Sequence, residues 1–148
     1  MRILSIALAT LALAGATAPA VMARGQHGSA GASIAVRSSA YGRILFDGRG
    51  RALYAFTRDS RGRSACSGAC AAAWPPFLVG SRPTAGAGVL GRLIGTTRRA
   101  DGKRQVTYAG RPLYYYVGDR KPGQVLCQNV DEYGGLWLVV RPSGQLVR

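Results

Sequence analysis

The sequence predicts a mostly β protein: two pseudo-repeated β-hairpin units forming one compact domain, with one short helix near residues 67–74. Three observations carry this. Past the N-terminal segment, apolar residues either alternate with polar ones or gather in short β-type runs. Glycine and proline punctuate the chain between those runs. And the phrase "YAFTRD", opening at Tyr54, returns sixty residues later as "YYYVGD", opening at Tyr114.

The chain opens with "MRILSIALATLALAGATAPAVMA": one early positive charge at Arg2, an apolar run, and a small-x-small ending at Ala23. This reads as a secretory signal peptide over residues 1–23. The apolar run is too short and too rich in alanine for a membrane span, and no second long apolar run follows, so no transmembrane helix is expected after signal cleavage. No cysteine stands near the cleavage point to take a lipid anchor. The expected location is secreted or periplasmic. Removing 23 residues from 148 leaves 125, enough for one domain with a modest core. Residues 24–33, "RGQHGSAGAS", read as a flexible lead-in, and 34–148 as the domain.

The elements follow in order. "SIAVRSS" alternates as a half-buried strand does. "RILFD-GRG-RALYAF" reads as a hairpin around Asp47-Gly48. "CSGACAAAWPPF" holds the short helix, stopped by Pro75 and Pro76. "VLGRLIGTTRR" is a further strand and "ADGK" a turn. "RQVTY-AGRP-LYYYV" is a second hairpin, with Gly110 and Pro112 in its turn. "GDRKPGQVLCQNVDEYGG" reads as a loop, and "LWLVVRPSGQLVR" as a strand, a turn at Pro142-Ser143-Gly144 and a short return.

Overlaying the halves puts Tyr54 on Tyr114, Asp59 on Asp119, Cys66 on Cys127 and Trp74 on Trp137. Repeat one runs over about 42–80 and repeat two over about 100–141. A lone hairpin is marginal in water, so each copy needs the other to make a core.

These residues resemble the bacterial secreted-repeat family of small envelope proteins and lipoproteins, marked by a Tyr-x-aromatic-x-x-Asp motif. The matching stretches are "GRILFDGRGRALYAFTRD", "CSGACAAAWPPF", "DGKRQVTYAGRPLYYYVGD" and "GGLWLVV", spanning roughly 42–140. The family has no settled activity, so the resemblance implies location and architecture more than chemistry. Many members carry a lipid-anchor cysteine after the signal peptide, which this sequence lacks.

The motif residues are Tyr54, Phe56 and Asp59 in one copy, and Tyr114, Tyr116 and Asp119 in the other. On a strand each tyrosine shares a face with its aromatic partner. Each aspartate then falls past the strand end, where it accepts hydrogen bonds from loop N–H groups. A sharper reading pairs the two carboxylates as a metal site or acid–base dyad. Alternation places Tyr115 on the opposite face and makes it the candidate exposed contact, while Trp74 and Trp137 are structural aromatics.

An oxidising compartment favours disulfides, and Cys66, Cys70 and Cys127 allow three single pairings with one thiol over. Cys66 and Cys70 on one regular helix would bond poorly. A non-helical Cys66 at the helix entry makes the bond possible, and Cys127 is the alternative partner. The resemblance, by placing Cys66 and Cys70 in one block, favours that pair. A small buried side chain is the plain reading of the spare thiol.

The single histidine, His27, lies in the lead-in. It would bind Cu(II) in a square plane only if cleavage made it the third residue. No cofactor is predicted, and metal is left open. With its one histidine in the lead-in, a Ser-His-Asp or Cys-His site is nearly excluded, and G-x-S-x-G, P-loop and H-E-x-x-H motifs are absent. The +14 net charge comes from 18 arginines and two lysines scattered along the chain. It points to solubility first and to an anionic polymer or another envelope protein as partner, with no specific nucleic acid signal. The expected function is therefore a secreted, non-enzymatic envelope module that binds or scaffolds. The alternative is an extracytoplasmic redox or metal-handling protein using Cys66, Cys70 and Cys127.

Overall fold

The computed structural model describes residues 32–148. The stretch read as a signal peptide, His27 and nearly all of the expected lead-in lie outside the described residues. The remainder folds into three small three-stranded sheets and one short helix.

Strand β1 (Ser33–Ser39) pairs antiparallel with β2 (Gly42–Asp47), as its alternation suggests. The Asp47 carboxylate then shapes the turn, accepting the N–H of Arg49 at 2.9 Å and of Arg51 at 2.8 Å. The expected hairpin begins with the bridge Phe46↔Ala52 but does not continue, because β3 (Tyr54–Phe56) leaves for another sheet. The reason lies in the partners: Leu45 gives its N–H to Val140 O at 2.9 Å, and β3 pairs with β9 (Gly135–Val139). Helix α1 (Ala69–Ala73) ends where Trp74 N–H reaches Cys70 O, directly before the two prolines. The two-residue β4 (Thr84–Ala85) lies parallel to β1.

The second half runs through one turn of 3₁₀ helix, Gly91–Leu93, into β5 (Ile94–Arg98), which pairs with β6 (Arg104–Tyr108). Ala109 and Gly110, at φ 51° and 77°, make the tight turn to β7 (Arg111–Pro112). Pro112 was expected in that turn. It sits instead in the return strand, where its missing N–H is harmless because its position opposite Thr107 lies at the sheet edge. The presumed loop before the last strand contains β8 (Val130–Glu132), joined to β9 by Tyr133-Gly134, both at positive φ.

The halves are related by an approximate twofold arrangement visible in matched hydrogen bonds. Tyr54 and Tyr114 exchange N–H and C=O with each other, both at 2.9 Å. Leu45 N–H to Val140 O corresponds to Val106 N–H to Phe77 O. Thr57 N–H to Leu136 O corresponds to Val117 N–H to Ala73 O, and Gly62 N–H to Gly110 O to Gly123 N–H to Gly50 O. The consequence is an exchange. The segment after Trp74 in the first half completes the strands of the second, and β9 of the second half completes those of the first.

Both faces of the central segments are buried. Tyr54, Phe56, Tyr114, Trp74 and Trp137 lie in one apolar cluster with Ile44, Phe46 and Val139. Leu53, Ala55 and Leu113 lie in the other with Ile34, Phe77, Val106, Tyr108 and Val140. Alternation along 53–56 and 113–116 therefore feeds two cores rather than a core and a solvent face.

Candidate functional site

The repeated motif forms a crossed pair. The Tyr54 hydroxyl donates to Asp119 Oδ2 at 2.6 Å, and the Tyr114 hydroxyl donates to Asp59 Oδ2 at 2.7 Å. Each tyrosine thus serves the aspartate of the other repeat. The remaining oxygens do what turn chemistry suggests: Asp59 Oδ1 accepts Ala65 N–H at 2.7 Å, and Asp119 Oδ1 accepts Leu126 N–H at 3.0 Å. Each of those loop residues immediately precedes a cysteine, so each carboxylate fixes one strand exit and one cysteine loop at once.

Burial pushes both carboxyls above the usual aspartate range, more than the tyrosine and backbone hydrogen bonds lower them. Burial, reinforced by the facing aspartates, pushes both phenols well above theirs. At neutral pH the phenols are protonated donors. Each carboxylate bonds through one oxygen to the tyrosine of the other repeat and through the other to its own loop, with no hydrogen bond joining the two aspartates. Among the described residues no three His, Cys, Asp or Glu side chains gather in a way that would hold a metal ion.

Between the two copies the indoles of Trp74 and Trp137 stack at 4.0 Å and 4°. Phe56 stacks on Trp137 at 4.2 Å, Tyr116 leans on Trp74 at 4.8 Å, and Tyr54 and Tyr114 meet the indoles edge-on. One residue satisfies both indole N–H groups: Glu132 accepts Trp74 Nε1 with its carboxylate at 2.8 Å and Trp137 Nε1 with its backbone O at 3.2 Å. The sequence carried no signal for this role, because Glu132 sits in a stretch read as loop.

Cys66 and Cys70 are bonded to each other, with Cα atoms 5.3 Å apart and Cys66 in the non-helical approach to α1. Cys127 is a free, half-buried thiol packed against the first cluster. Burial raises its pKa, which keeps it protonated and a poor nucleophile at neutral pH. The repeat overlay puts Asp131 where a counterpart of Cys70 would stand.

Tyr115, expected as the exposed contact, is only partly accessible and belongs to the second cluster. Its ring lies against Phe77 and under the Arg51 guanidinium, which is 4.2 Å from the ring centroid, and its hydroxyl donates to Asp47. The expectation failed because the opposite strand face meets a second core, not water.

The surface has one dominant property. Of six acidic residues, Asp47 and Asp119 are buried, Asp59 and Glu132 are half-buried and bonded, and only Asp101 and Asp131 are exposed. Of the 18 described arginines and lysines all but Arg51 and Arg99 are exposed. Arg99 is used inside, binding Ser64, Gln105 and the Cys66 carbonyl. Sixteen exposed cations therefore face two exposed carboxylates. A cleft of about 180 Å³ opens beside the first motif copy, lined by Phe56, Asp59, Arg61, Gly110, Arg111 and Pro112 among others.

Residues 35–77 and 95–141 each match the family described as a secreted repeat of unknown function, and the two matches together cover more than half of the chain. The chain belongs to this family of secreted repeats. No curated protein and no solved structure matches it.

Proposed function

We propose that this protein is a non-enzymatic module of the cell envelope that binds an anionic polymer. The observation that supports it most is the division of charge: carboxylates are drawn into the fold as hydrogen-bond acceptors, while sixteen cations stay outside against two exposed acids. A surface of that kind attracts polyanions at long range and holds them by many weak contacts. The crossed tyrosine–aspartate pairs and the tryptophan stack act as framework in this reading. Thiol redox or metal handling by Cys66, Cys70 and Cys127 is less well supported, since two of the three are bonded to each other and the third is held protonated.

The test is binding of the mature protein to polyphosphate and to a neutral polysaccharide over a salt series. The expected result is tight binding to the polyanion that weakens steeply with salt, as counterion release requires, and none to the neutral polymer. Affinity insensitive to salt would overturn the reading.

A further inference from the structure

The repeats are alike, yet their surfaces differ at one matched place. In the second half the position equivalent to the cleft is filled. Arg51, the counterpart of Arg111, turns inward over Tyr115 and donates to Tyr116 O at 3.3 Å, while Pro122 and Arg37 close over Gly50. In the first half Arg111 is exposed, and Arg61 lays its stem so close across Gly110 that an added Cβ would stand 2.8 Å from Arg61 Cγ. Among the described residues neither Arg61 nor Arg111 takes part in an ion pair, and both salt bridges use Asp101 instead. Two arginines, one from the turn after β3 and one from strand β7, thus line an open cleft whose wall carries an aspartate already oriented by Tyr114 and Ala65.

We propose that this cleft is the anchoring subsite of the polymer, and that it takes a phosphodiester unit with a neighbouring hydroxyl: a polyol-phosphate or sugar-phosphate chain. The proposal rests on the polyanion reading above and names its ligand class. Guanidinium groups arriving from a turn and from a separate strand suit a tetrahedral oxyanion, which offers oxygens in several directions. Asp59 has lone pairs beyond the two bonds it makes, and Ser60 adds a hydroxyl, so a polymer hydroxyl beside the phosphate finds an acceptor and a donor. At about 180 Å³ the cleft is smaller than a pocket that encloses a whole ligand, and fits one repeating unit of a chain that continues along the cationic surface.

The experiment measures binding of the mature protein to a glycerol-phosphate oligomer, polyphosphate and a uronate oligomer at fixed salt. The Arg61→Ala/Arg111→Ala variant is compared with Arg92→Ala/Arg148→Ala, which removes the same charge elsewhere. Thermal unfolding confirms that both variants fold. The expected result is a loss of about tenfold or more for the glycerol-phosphate oligomer in the cleft variant alone, the size expected for charge-assisted hydrogen bonds. Equal losses in both variants would overturn the subsite and leave the polyanion reading standing. A uronate oligomer bound with the same dependence on the cleft would overturn the phosphodiester assignment. No binding to any of the three at low salt would overturn both.

Discussion

At the scale of single residues, the crossed pairs make the pH response unusual for aspartates. Buried carboxylates with donors usually sit below their ordinary pKa, whereas here burial wins and Asp59 and Asp119 lie above 3.8. The folded state then holds protons that the unfolded state has lost. Their contribution is fully present below about pH 3.8 and is lost as pH rises through the raised values. Asp59→Asn and Asp119→Asn, read by denaturant unfolding from pH 3 to 7, are therefore expected to flatten a decline in stability that begins near 3.8 in the parent. The phenols give the same sign at the other end. Unfolded tyrosines ionise near 10, and native Tyr54, Tyr114 and Tyr115 resist it. Stability should fall from about pH 10 upward, with phenolate absorbance appearing together with loss of the fold. Tyr114→Phe leaves a half-buried carboxylate without its phenol and is expected to cost about 1–3 kcal/mol. Ala109 holds φ 51° in a two-residue turn, where an L side chain is strained. Ala109→Gly is expected to gain about 1 kcal/mol in chemical denaturation.

At the scale of elements, the exchange of end strands decides how the protein assembles. Neither half contains the partners of its own motif tyrosine, since β3 pairs with β9 and Tyr114 bridges Tyr54 and Pro76, while the residues after Trp74 also bond to β6. Fragments 32–86 and 87–148 should each lack a cooperative unfolding transition and regain one on mixing, checked by circular dichroism. A fragment that folds alone would contradict the interlock. Much of this level was legible in the sequence. The repeat was readable because Tyr54, Asp59, Cys66 and Trp74 each have a counterpart at nearly constant offset, and the helix stop because two prolines follow Trp74. The exchange was not, because a strand pattern states which face is apolar and never names the neighbouring strand. Tyr115 failed for a related reason: alternation shows that two faces differ, and only tertiary structure shows that both are covered. Glu132 under the indoles and the cleft at Arg61 and Arg111 depend on residues brought together from 50 or more positions apart, which no local pattern carries.

At the scale of the whole molecule, the inward use of carboxylates has a thermodynamic consequence independent of any ligand. Sixteen exposed cations against two exposed acids repel one another, and the only two ion pairs among the described residues are loose, at 3.9 and 4.0 Å. Self-repulsion of this kind opposes the compact state and is relieved by counterions. The Debye length shortens from about 30 Å at 0.01 M salt to about 8 Å at 0.15 M, so most of the relief comes within that range. The melting temperature of the mature protein is accordingly expected to rise between those two salt concentrations. At the low-salt end a saturating polyanion should raise it further, because a ligand that binds only the folded state adds stability by mass action. The two increments should not add, since both draw on the same repulsion: at 0.15 M salt the polyanion increment shrinks as its affinity falls. A melting temperature that falls with salt, or a polyanion increment that salt leaves unchanged, would mean that the exposed arginines are spread too thinly to act together.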